Sequence, residues 1–163
     1  MSKYFIKEQE VYNQRIGDVS SEAVAPLGTI ARAVDTGDSD NGEGEFIYLK
    51  GVASVETGSW VVIGDNQTAV LASANDKGRV AVASGAITAD NYGWFQISGK
   101  GAARVAAGFA TDRVPYLTST AGTADDAVVA GDEIRGAIAL SAIGTPGAGL
   151  AEFDLNRPFV ADV

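Results

Sequence analysis

From Leu27 onward the chain alternates short apolar runs with clusters of Gly, Asp and Asn, the spacing of strands in a sandwich or barrel. The runs cover residues 28–34, 45–50, 59–63, 69–73, 79–83, 94–98, 102–107, 114–118, 133–143 and 150–155. Two of them carry information about depth. In 45–50, Phe46 and Tyr48 share one face while Ile47 and Leu49 share the other, which places this strand between two layers or in a subunit interface. In 94–98, Phe95 and Ile97 oppose Trp94, Gln96 and Ser98, so this strand is expected to be half exposed. Gly64-Asp65-Asn66, Asn75-Asp76-Lys77-Gly78 and Asp90-Asn91-Tyr92-Gly93 supply turn chemistry between runs. A loose similarity among 47–63, 94–117 and 134–155 has two readings, a repeated hairpin or, the favoured one, what any glycine-punctuated β chain shows.

Residues 1–26 have a different texture. Aromatic and charged residues mix without clean alternation, and the segment ends at Pro26. The expectation is an N-terminal arm, extended or with one helical turn, followed by an all-β domain over 27–163. The fold class is therefore all-β, a sandwich or barrel-like domain of short antiparallel strands with an extended arm. The arm carries Tyr4, Phe5, Ile6, Val11, Tyr12 and Ile16, a set suited to lying across a neighbouring chain and ordering there. These six are the candidate contacts with another subunit or a partner chain.

Composition narrows the chemistry. Hydrophobic residues make up 46% and charged residues 20%, a globular mixture, and the plentiful Ala is mixed with Val, Ile and Gly, which suits sheets. Cys and His are both absent, which removes disulfides, thiolate nucleophiles, imidazole bases and structural zinc sites. The formal net charge of −9 repels a phosphate backbone, so no nucleic-acid partner is expected. No window approaches the ~20 apolar residues that span a bilayer, and the first residues lack a secretory pattern. A soluble protein made in a cytoplasm is expected.

Several constellations invite chemistry and each has a plainer reading. The loop 35–45 holds Asp38-Ser39-Asp40, two carboxylates at calcium-loop spacing, but Gly42 stands where a third ligand belongs, so a solvated loop is expected and a weak cation site is the alternative. Asp125-Asp126 and Asp132-Glu133 could pair for glycosidase work, yet they sit in turn-like stretches without a marked cleft. Ser98-Gly99-Lys100-Gly101 lacks the Walker spacing and reads as a hairpin turn. Trp60, Trp94, Tyr48 and Tyr92 could stack on sugars or bases, but aromatics in a small β domain belong more often to core or interface. No catalytic residue, metal ligand or cofactor is assigned.

The stretch Pro26-Leu27-Gly28-Thr29, then Gly44-Glu45-Phe46-Ile47-Tyr48-Leu49-Lys50-Gly51-Val52, then Gly58-Ser59-Trp60-Val61, resembles the opening of a set of tailed-bacteriophage virion proteins. Tyr92-Gly93-Trp94-Phe95-Gln96-Ile97-Ser98-Gly99 and Ala103-Arg104-Val105 extend the resemblance, which spans roughly residues 26 to 155. That family includes head decoration, or cement, proteins. The resemblance implies a non-enzymatic all-β oligomer on the capsid exterior, with the major capsid protein as partner. It assigns no catalytic residue. Short strands with many sheet edges fit this role, because edges must be paired or covered and sister subunits or a shell can do both. Self-association is expected, with a homotrimer favoured over a dimer. Two other functions compete: a tail or fibre-associated protein binding glycans through exposed Trp94 and Tyr92, and a secreted carbohydrate-active enzyme using Asp or Glu.

Overall fold

The computed structural model describes residues 4–6, 14–37 and 41–161. Among them are β1 (Tyr4–Ile6), β2 (Val19–Ser20), β3 (Ile30–Asp35), β4 (Glu43–Gly51), β5 (Trp60–Gly64), a 3-10 turn (Asp65–Gln67) and β6 (Thr68–Leu71). They are followed by β7 (Gly78–Ala83), β8 (Tyr92–Arg104), β9 (Tyr116–Leu117), β10 (Ala124–Asp125), β11 (Arg135–Ala139) and β12 (Leu150–Val160). The chain is all-β and barrel-like, as its periodicity predicts.

Five strands close into a ring. β4 pairs with β8, β8 with β7, β7 with β5 and β5 with β6, all antiparallel. The ring then closes through a short parallel pairing of β6 with β4, Lys50 opposite Thr68 and Gly51 opposite Ala69. This parallel seam departs from the all-antiparallel expectation. Alternate residues of a strand point to one side, and here Ile47, Leu49, Val61, Ile63, Ala69, Ala81, Ala83, Phe95 and Ile97 form one buried interior cluster. So narrow a barrel needs small side chains beside large ones, which gives the alanines their place next to Phe95. One end is plugged: Val55 and Ile87 exchange both backbone hydrogen bonds, at 2.7 and 2.8 Å, and both join the interior cluster.

Two layers cover the outside. Trp60, Val80 and Val82 pack with Ala151, Phe153, Leu155 and Val160 of β12, Ala137 and Ala139 of β11, Leu117 of β9, Ala124 of β10, and Phe109 and Ile134 from the connecting segments. Phe153 meets Trp60 edge-on at 5.1 Å and Phe109 at 5.6 Å, and Trp60 Nε1 donates to Arg104 O at 3.0 Å. Each such large side chain contributes about 2–3 kcal/mol through burial. On the opposite flank Phe46, Tyr48 and Trp94 are covered by Ile16, Ala25, Ala31 and Ala33, with Tyr4, Leu27 and Tyr92 at the margin. β4 therefore lies between two layers, as its two-sided apolar pattern requires, and both layers come from this chain.

The β8 region corrects two expectations. Residues 98–101 do not turn; they continue one strand of 13 residues. Gly99 takes a positive φ of 93°, and the β4 register slips beside it between Glu45 and Phe46. A Cβ at Gly99 would come within 2.5 Å of Glu43 O, so only glycine fits this bulge. The kink lets β8 pair with β4 on its first half and with β12, Leu150 to Asn156, on its second. Nor is 94–98 half exposed. Trp94 is fully buried, and Gln96 is buried because its amide donates to Ser98 O and Lys100 O, both at 3.1 Å, across the bulge.

Candidate functional site

The arm residues have unequal positions. β1 runs antiparallel to β3, with Phe5 opposite Val34 and Ile6 opposite Ala33. Tyr4 is half-buried against Phe46, ring centroids 4.8 Å apart, and its hydroxyl donates to Lys100 O at 2.6 Å. Burial pushes its pKa up to about 12. Ile16 is enclosed in the aromatic flank, so this chain's own fold already uses it. Val11 and Tyr12 lie outside the described residues. The segment from Gln14 to Ala25 is tied by one phenol. Tyr48 donates to Gln14 Oε1 at 2.9 Å and accepts from Val24 N at 3.3 Å, while Gln14 Nε2 donates to Asp18 O at 2.6 Å. Burial raises the Tyr48 pKa as well. β2 then pairs with β8, Val19 opposite Gly93.

The aromatic candidates are not presented to solvent as a platform. Trp60, Trp94 and Tyr48 are fully buried, and Tyr92 stacks on Tyr48 at 6.4 Å. A glycan surface built on an exposed Trp94 is therefore not formed. Indole and phenol groups on the strands of a small β domain pack between its layers, where their large apolar area is buried.

Three of the four paired carboxylates act as loop ties. Asp126 Oδ2 accepts from Ala110 N at 3.0 Å, and Asp125 Oδ1 accepts from Asp126 N at 2.8 Å. Asp132 is buried, accepts from Asn75 N at 2.7 Å and sits 3.9 Å from Lys77 Nζ, which itself donates to Gly131 O at 2.6 Å. In the acidic loop Asp35 accepts from Gly37 N at 2.9 Å and Asn41 N at 3.4 Å, and Asp38, Ser39 and Asp40 lie outside the described residues. Lys50 and Asp90 pair at 2.8 Å on the surface, raising the lysine pKa and lowering that of the carboxyl through their mutual hydrogen bond.

Sheet edges are largely covered from within. The outer edge of β11 bonds to residues 112–117: Ala139 N donates to Arg113 O at 2.9 Å and Ile134 N to Pro115 O at 2.9 Å. The ring itself has no edge, and the strands ending the sheet path, β1 and β2, are short. What the fold leaves open is apolar side-chain surface. Five exposed large apolar residues lie between 128 and 159, namely Val128, Val129, Ile138, Leu140 and Phe159. Ile138 and Leu140 stand on the outer face of the β11 ribbon, opposite the buried Ala137 and Ala139.

A second open feature is the unplugged end of the barrel. A recess of ≈ 60 Å³ there is lined by Ile30, Ile47, Ile63, Val80, Ile97 and Pro158, with Arg79 and Arg157 at its rim. Arg157 is neutralised by Glu45 at 3.1 Å. Among the described residues Arg79 has no carboxylate in ion-pair range and reaches only Gln67 Oε1, at 3.5 Å. Neither the recess nor the loop tip at Val128 was anticipated from sequence. The tip had a signal, the run Ala127-Val128-Val129-Ala130 set between acids without strand alternation. The recess had none, because its walls come from strands far apart in the chain.

No family model matches this chain, and neither does any curated protein or solved structure.

Proposed function

We propose that this chain is a bacteriophage capsid decoration protein that binds the outer surface of the major capsid protein shell and stabilises the head without catalysis. The observation carrying this reading is the distribution of apolar surface. Of the aromatics that could have formed a sugar platform, Trp94 is inside and Tyr92 is half-buried against Tyr48, and Asp125, Asp126 and Asp132 tie loops. Five of the nine exposed large apolar side chains among the described residues, Val128, Val129, Ile138, Leu140 and Phe159, lie between 128 and 159 beside a packed core layer. Exposed apolar side chains of this kind, with no cleft built around them among the described residues, suit a protein partner better than a small substrate. The resemblance of residues 26–155 to phage head proteins supplies the partner. The −9 charge keeps such a protein soluble before it attaches, and repeated attachment over a shell multiplies weak individual contacts.

The test is co-sedimentation of the purified chain with phage heads lacking it, with immunogold labelling of whole virions. Saturable binding to heads is expected. The double variant Ile138→Asp, Leu140→Asp should lose it while melting at an unchanged temperature. Label on tails or fibres, or no binding to heads, would overturn the proposal.

A further inference from the structure

The loop between β10 and β11 presents an apolar tip on a braced base. Ala127 to Ala130 are all exposed, and Val128 is 80% exposed, the most of any large apolar residue described. Both feet of the loop are fixed. Asp126 holds Ala110 N on one side, while on the other Asp132 holds Asn75 N and Lys77 holds Gly131 O. A valine kept in water on a loop tied this firmly is preorganised for contact, because little freedom remains to be lost on binding. The loop's own segment is acidic: from Val114 to Ile134 the chain has four acids, Asp125, Asp126, Asp132 and Glu133, and no base, and the Lys77 that braces it is set against the buried Asp132.

The barrel recess is the complement of that tip. Its floor is aliphatic, with room for a few waters or one branched side chain, and its rim carries Arg79, a cation without a carboxylate partner among the described residues. Recess and tip also adjoin the same stretch of chain. Lys77, which braces the tip, is two residues from Arg79, and Arg79 stands opposite Phe159, exposed at 42% beside Pro158 of the recess wall. The tip does not fill the recess of its own chain, since Val128 remains in solvent.

We infer that the occupant is a second copy of this chain: Val128 of one subunit enters the Ile47–Ile63–Ile97 recess of the next, and Arg79 there faces Asp125 and Asp126. The contact is head-to-tail, one tip in one recess for each neighbouring pair of copies, and it can close as a small ring. This assigns a self-association surface, and it stands apart from the shell reading. A monomer that binds heads would end this inference and leave that reading intact.

Sedimentation velocity on the full chain at about 10–100 μM tests it, a range that detects Kd values of that order. The wild type should sediment at twice 16.7 kDa or more. Val128→Asp and Arg79→Glu should each raise the dissociation constant at least about tenfold, as truncation of a central anchor does, with unchanged circular dichroism and melting. Mixing the two variants supplies the decisive arm. The Arg79→Glu chain keeps its tip and the Val128→Asp chain keeps its recess, so an equimolar mixture should form heterodimers that neither variant forms alone. A monomeric wild type, an association indifferent to both substitutions, or a mixture that stays monomeric would each overturn the inference.

Discussion

The two ends of the five-stranded barrel are built from the same kind of residue and finished differently. At one end Val55 and Ile87 bridge to each other and seal the interior, each almost wholly buried. At the other, Ile47, Ile63 and Ile97 lie beneath a shallow recess whose rim holds Ile30, 42% exposed, and two arginines. A chain of this size closes a hydrophobic opening when it has a loop to spare, as residues 52–59 and 84–91 show. Where it does not, the opening stays as a recess. The sealed end serves stability, the open end is the one proposed above for self-association, and the two can be separated by substitution.

The largest effect is expected at the seal. Ile87→Ala removes a branched side chain from a closed site that cannot collapse easily, so a loss of about 3–5 kcal/mol is expected, read as a lowered urea midpoint with an unchanged slope. Gly99→Ala comes next. It forces a Cβ onto Glu43 O at a positive φ, disturbing the bulge that turns β8 from β4 toward β12, and should cost about 2–3 kcal/mol. Smaller again is Tyr48→Phe. The ring stays packed against Trp94 at 4.9 Å, but Gln14 Oε1 and Val24 N lose their shared partner, a loss of about 1–2 kcal/mol in the same measurement.

An effect of pH isolates the N-terminal cover. The Tyr4 phenol has its pKa raised from 10.0 to about 12, chiefly by burial, so the fold favours its neutral form. The unfolded chain then gives up this proton more readily than the folded one. The contribution is complete below pH 10 and is lost as pH rises from 10 toward about 12. Tyr4→Phe should remove the steepest part of the alkaline decline without altering stability at pH 7 by more than the lost hydrogen bond to Lys100 O, about 1 kcal/mol.

How much of this could be read from the chain depends on how local each feature is. The β4 pattern, apolar on both faces, required two layers, and two layers are present. β8 was misread for a physical reason. Glycines inside an apolar run mark either a turn or a bulge, and periodicity cannot choose between them; here Gly99 makes a bulge, and that same bulge supplies the carbonyls that let Gln96 be buried. Gln96 and Ser98 therefore gave the face of Trp94 a polar signature that does not mean exposure. Ring closure rests on two residue pairs between β4 and β6, too few to leave a pattern. In the arm, Tyr4 and Ile16 carried an apolar signal that is the same whether the covered surface belongs to the chain or to a neighbour, and the fold turns both inward. The acids at 125–126 and 132–133 announced charge correctly, but which amides they hold depends on loops up to 57 residues away.

The smallest effect is also the sharpest control, because it repeats the first substitution at the other end. Ile30→Ala deletes the same atoms as Ile87→Ala, but from a side chain already 42% in water on a strand whose neighbours on either side remain paired. No closed cavity results, and the loss should stay below about 1 kcal/mol, mostly strand propensity. Equal losses at the two positions would mean that the recess is sealed in solution and that no asymmetry exists between the ends. A loss at Ile87 several times that at Ile30 fixes the asymmetry as a property of the folded chain. It would also mean that the isoleucine at the open end contributes little to folding, as the self-association inferred above requires of a side chain on its rim.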